Sequence, residues 1–188
     1  MTPFEYFSVA LSFVLGLGVT RLLSSAVFLF RRRDRVRLTW MPFAWALSVF
    51  FWQLQYWWSI FELQLRDEPW TPFLFGIYIV LALLLYLAAA LILPPNDSEL
   101  SEDLEASFAK DGRWALLVLS AYFVGGWVVS YVYWAQPWFS VPGILTLVAV
   151  ALPIAFLVAR GSRVKAAVLL VYLVVCVWLG SVVSMDAY

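Results

Sequence analysis

Arg21 lies in GLGVTRLLSS, residues 16 to 25, within an apolar run from Tyr6 to Phe30. A guanidinium holds a fixed positive charge and five N–H donors, and it accepts no hydrogen bond. Its chemistry is to hold an anion, or to bond hydroxyls and helix carbonyls. The rest of the inventory excludes much else. There is no histidine, and Cys176 is the lone cysteine. A disulfide within the chain is impossible, and no metal site is expected. The apolar runs hold no carboxylate pair, no nucleophile–base arrangement and no glycine-rich phosphate loop. No catalytic residue and no cofactor follow from them, and the chain does not read as an enzyme.

The elements that must position Arg21 are membrane-spanning helices. The 188 residues are 64% hydrophobic and 13% charged, with a mean hydropathy of +0.89. A soluble domain is about 45–50% apolar and could not hide this much apolar surface. A span needs roughly 20 apolar residues. Six segments qualify: 6–30, 40–63, 72–93, 114–134, 142–158 and 164–184. They are continuous apolar runs without the alternation of barrel strands. The expected fold is a single all-α domain over 1–188, a six-helix integral membrane bundle. The N-terminal MTPFEYF lacks the basic start of a secretory signal, so the first helix is expected to be retained.

Loop charge gives an orientation. Arg31, Arg32, Arg33, Arg35 and Arg37 follow the first span, Lys110 and Arg113 precede the fourth, and Arg160, Arg163 and Lys165 sit around the last turn. Ten of the twelve basic residues thus fall on one side. The positive-inside rule places that side in the cytoplasm and both termini outside. Twelve acids balance the twelve bases, so nothing favours a nucleic-acid partner.

Around Arg21, small residues recur every four positions: Ser8, Ser12, Gly16, Thr20 and Ser24. Such rows admit close helix approach, and this one is expected to be the packed face, with Arg21 at its border pointing into the bundle. Packing within the chain is favoured over a dimer seam. Arg21 is nine residues inside Phe30, about 14 Å along a straight helix. No Asp or Glu lies near that level. Ser48, Tyr86, Ser120, Tyr122 and Tyr172 do, by counting along the other spans. A cluster of Arg21 and Ser24 with some of Tyr86, Tyr122 and Tyr172 is the expected binding site.

The second notable stretch is FFWQLQYWWSIFELQLRDEPW, residues 50 to 70. Trp52, Tyr56, Trp57, Trp58, Phe61 and Trp70 read as an aromatic belt at the outer interface, joined by Tyr131, Tyr133, Trp134, Trp138 and Phe139. Gln53 and Gln55 are two residues apart, so they cannot face the same way. One is expected inside, as a binding candidate alongside Arg21, because a buried amide needs a partner. Glu62, Arg66, Asp67 and Glu68 read as a solvated outer loop.

The long loop PPNDSELSEDLEASFAKDGR, 94 to 113, places Leu100, Leu104 and Phe108 on one face. It predicts either a short amphipathic helix on the inner membrane surface, capped by Ser98 or Ser101 and stopped at Gly112, or a solvated acidic linker. Its acids argue against binding of anionic lipid there. Asn96-Asp97-Ser98 fits a glycosylation pattern that a cytoplasmic position would silence.

LGLGVTRLL (15 to 23), the basic loop, the Trp-rich YWWSIFEL (56 to 63) and the acidic loop after the third helix resemble a family of small uncharacterised bacterial membrane proteins. The resemblance implies an inner-membrane location and transfers no site residue.

The expected function is that of a non-enzymatic membrane-embedded binding or transport protein, in which Arg21 anchors an anionic lipid or small anionic ligand. The alternative is a structural or partner-binding subunit, a homo-oligomer for example, in which Arg21 only fixes helix packing.

Overall fold

The computed structural model describes residues 3–64, 71–96, 100, 103–134, 137 and 139–185. Among them the fold is all helical: α1 (Pro3–Arg31), α2 (Trp40–Gln64), α3 (Pro72–Ile92), α4 (Leu104–Ser107), α5 (Arg113–Trp134), α6 (Val141–Val158) and α7 (Ser162–Met185). Local chemistry sets several of the starts. Thr71 caps α3 by accepting from the Leu74 amide at 3.2 Å, with Pro72 in the first turn. Ser140 caps α6 by accepting from the Gly143 amide at 3.2 Å, again with a proline, Pro142, in the first turn. Each cap satisfies an amide that a helix start leaves without an intrahelical partner, and proline loses nothing there.

Five helical stretches are long and apolar enough to cross a membrane: Phe4–Arg31, Pro72–Ile92, Leu104–Tyr133, Val141–Val158 and Ser162–Ser181. They point to a multi-pass membrane protein. The second expected span, α2, has the length but falls outside this set. Its tryptophans, Tyr56 and the amides Gln53, Gln55 and Gln64 dilute the aliphatic residues.

The packing explains how a less apolar helix fits. α1, α3, α5, α6 and α7 follow one another as an arc of neighbours, and α2 packs on α1, α3 and α7. Its rings reach the remaining two: Trp52 meets Phe123 of α5 edge-on at 4.9 Å, and Trp45 meets Phe156 of α6 at 5.3 Å. Of the α2 side chains described, only Trp40, Leu47, Leu54, Trp57 and Trp58 are exposed. α2 therefore sits inside the arc, with contacts to all five of its helices.

The loop after α3 departs from expectation. Leu104 and Phe108 do share a buried face. They pack against the protein, however, and the cap is Asp103, whose carboxylate accepts from the Glu105 amide at 3.0 Å. Gly112 does not stop the helix. Phe108–Gly112 forms a π-turn that carries α4 straight into α5. The basic loop after α1 docks alongside, with the Leu104 amide donating to the Arg37 carbonyl at 3.3 Å. Ser98, Ser101 and the Asp97-Ser98 part of the glycosylation pattern lie outside the described residues, as do the loop residues Arg66, Asp67 and Glu68 and the side chain of Glu62.

Pro153 is buried within α6. It cannot donate to the Ala149 carbonyl, which loosens the ladder there. Ser120 of α5 donates to the neighbouring Val150 carbonyl at 3.1 Å, a bond that ties α5 to α6 where α6 is weakest.

Candidate functional site

Arg21 is half-buried on α1. Among the described residues it makes no hydrogen bond, ion pair or ring contact. The face that α1 buries is Phe7, Leu11, Leu15, Gly18, Leu22, Ser25 and Leu29. Those spacings are all three or four, which keeps a stripe on one side of a 3.6-residue helix. Arg21 flanks this stripe.

The expected packed row is not the buried one. Ser8, Ser12 and Gly16 are half-buried, while Thr20 and Ser24 are exposed. A strict four-residue repeat advances 400° per step, so each member stands about 40° further round. Over five members the row turns from the edge of the bundle to its outside. Ser8 and Thr20 hydroxyls bond their own helix, at the Glu5 and Gly16 carbonyls. A Cβ added at Gly16 would meet nothing within 4 Å.

Gly18 is where α1 makes its closest approach. A Cβ there would collide with the Nε2 of Gln53 on α2 and come within 3.5 Å of the Tyr86 Cα on α3. Gln53 is 1% exposed, and neither its nitrogen nor its oxygen has a hydrogen-bond partner in the described structure. Gln55 faces the other way, half-buried, with its Nε2 against Gly180 of α7. The two amides thus project to opposite neighbours of α2, and each abuts a glycine.

The expected tyrosine cluster is dispersed around α2. Tyr86 is half-buried on α3, near Gly18. Tyr122 of α5 lies among Trp52, Tyr56 and Phe123 at ring distances of 6.5, 6.1 and 5.3 Å. Tyr172 of α7 is fully buried 4.5 Å from the Trp45 ring. Its hydroxyl has no completed hydrogen bond, although Ser48, Trp52 and Cys176 surround it. None of the three bonds Arg21. Gln53 and Tyr86 are the two expected site residues that share its end of the α1 seam.

Residues with a clear positioning role were read differently from sequence. Trp52 and Tyr56, expected in the outer belt, are core residues at 6% and 5% exposure. Trp52 donates its indole N–H to the Cys176 sulfur at 3.2 Å, joining α2 to α7. Tyr56 donates to the Tyr78 carbonyl at 2.6 Å, joining α2 to α3. Trp57, Trp58, Tyr131 and Phe139 are exposed, as a belt requires. The side chains of Phe61, Trp70, Trp134 and Trp138 lie outside the described residues. The available signal was the spacing of Trp45, Val49, Trp52, Tyr56 and Ile60, a helical stripe that passes straight through the supposed belt.

A search of protein-family models finds no match, and comparisons with curated proteins and with solved structures find no significant similarity.

Proposed function

We propose that this chain is a non-enzymatic, multi-pass membrane protein that binds an anionic group at Arg21. The observation that carries the reading is a half-buried arginine, in the inner half of a long apolar helix, with no partner among the described residues. A charge at membrane depth is costly unless paired, and such residues mark ligand or ion paths by default. The unsatisfied Gln53 amide lies against Gly18, which is one helical turn along α1 from Arg21. The ligand class is a lipid head, a carboxylate or a permeating anion. The six-span topology, with the basic end in the cytoplasm of a bacterial inner membrane and both termini outside, belongs to this proposal.

Native mass spectrometry of wild type and Arg21→Ala, released gently from membranes, tests it. A bound anionic lipid or small molecule that is lost in the variant is the expected result. Equal retention by both, or bare protein in both, rejects the anchor. A second reading, a structural or partner-binding subunit, is favoured by the uncovered Gly16, Thr20 and Ser24 side of α1. It predicts the same defined oligomer for wild type and Arg21→Ala.

A further inference from the structure

The loops at the basic end meet around a cavity of about 500 Å³. It lies between the first turn of α2, the π-turn that opens α5, the last turns of α6 and the first of α7. Met41, Phe108 and Phe156 are buried in its wall, and the Phe108 and Phe156 rings meet edge-on at 6.1 Å. Trp114 and Leu117 line it from the exposed face of α5. Two cations and one carboxylate complete the lining: Arg113, Lys165 and Glu105. Three separate elements supply them.

These charges are not spent on one another. Among the described residues, neither Arg113 nor Lys165 makes an ion pair, and neither does Glu105. The cations rest on aromatic rings instead. The Arg113 guanidinium carbon is 5.3 Å from the Trp114 ring centre, and the Lys165 ammonium is 5.7 Å from that of Phe156. A ring holds a cation without neutralising it, so both remain able to bind an anion.

We propose that this cavity is a binding site for one molecule of an anionic phosphodiester lipid. The charge count selects the head. Taken together the acids of the 94–113 loop weigh against anionic lipid, but among the described residues Glu105 is the one that lines the cavity, and two cations against one carboxylate leave a single net positive charge, which matches a monoanionic phosphodiester. A dianionic phosphomonoester would set its second charge against Glu105. The wall selects the tail. Cavities of about 300–1,000 Å³ with mostly apolar walls and a few convergent polar groups suit amphiphiles. An inorganic phosphate would leave the Met41, Phe108 and Phe156 wall uncovered, whereas an acyl chain covers it and leaves across Trp114 and Leu117. Bases at a membrane surface attract anionic lipid. The site is separate from Arg21, which lies in the middle of α1, and it does not rest on the anchor reading.

The test uses the full chain in detergent with equal amounts of phosphatidylglycerol, phosphatidylcholine and phosphatidate, read by native mass spectrometry. Retention is expected in the order phosphatidylglycerol, phosphatidate, phosphatidylcholine. Arg113→Gln with Lys165→Gln is expected to lower phosphatidylglycerol retention about tenfold or more, the loss of charge-assisted contacts. Glu105→Gln is expected to shift preference toward phosphatidate, a gain that a misfolded protein would not give. Lys165→Arg is expected to retain phosphatidylglycerol like wild type, and the double variant is expected to show the same loss in an Arg21→Ala background. Equal retention of phosphatidylglycerol and phosphatidylcholine by wild type overturns the proposal. So does unchanged retention in the double variant. Displacement by millimolar inorganic phosphate would identify a phosphate site and remove the lipid.

Discussion

Gln53 abuts Gly18, one turn along α1 from Arg21, and the two polar side chains differ in what burial costs them. Gln53 is enclosed, with neither amide atom bonded among the described residues. A buried polar group without a partner costs about 1–3 kcal/mol, and an apolar residue of similar shape removes that cost. Gln53→Leu is therefore expected to raise the thermal midpoint of the purified protein in detergent. A fall in the midpoint would mean that the amide has a partner in the membrane, such as a bound ligand or water. Arg21 is only half-buried, so its guanidinium keeps a route out of the bundle. The arginine was legible in the sequence, because a single charge stands out in an apolar run. The isolation of Gln53 was not. Residue type says that an amide wants partners, but only the positions of α1 and α3 decide whether any are within reach.

At the level of the element, the spacing of α1 and α2 decides which side chains are core. α1 buries a stripe spaced at threes and fours, with Gly18 packed closely against α2 and α3. Gly16, two residues earlier and a member of the small-residue row, has open space around its Cα. The pair makes a controlled comparison. Gly16→Ala is expected to stabilise by up to about 1 kcal/mol, since alanine is the better helix former. Gly18→Ala is expected to destabilise by roughly 1–3 kcal/mol, since its methyl group must displace the enclosed Gln53 amide. Thermal unfolding of both variants in one detergent checks the sign. Similar shifts for the two would mean that α1 does not approach α2 closely. The same reasoning separates Trp52 from Trp58 on α2. Both are interface-loving by type, yet one meets Phe123 and Cys176 while the other is exposed. Composition placed a belt along this stretch, and helical phase drew half of it into the core.

At the level of the whole molecule, charge and apolarity are segregated along the bundle. The cavity at one end gathers Arg113 and Lys165, and the loop from Arg31 to Arg37 docks there through the Arg37 carbonyl. If this end is cytoplasmic, a reporter that is active only in the periplasm should work when fused after Tyr188, and a cytoplasmic one should not. The reverse result would remove the six-span topology. That reading depends on α2 crossing as a sixth span, although it is less apolar than the others. The segment lengths, the helical class, the loop charges and the presence of a mid-helix arginine were all determined by the sequence alone, because each depends on local composition and on the 1.5 Å rise of a helix. The central place of α2, the stripe that α1 buries, the scattering of Tyr86, Tyr122 and Tyr172, and the cavity formed at the π-turn were decided only by the tertiary structure. Each depends on which helices become neighbours and at what rotation, and an apolar run that is hydrophobic nearly all round carries little phase information to fix either.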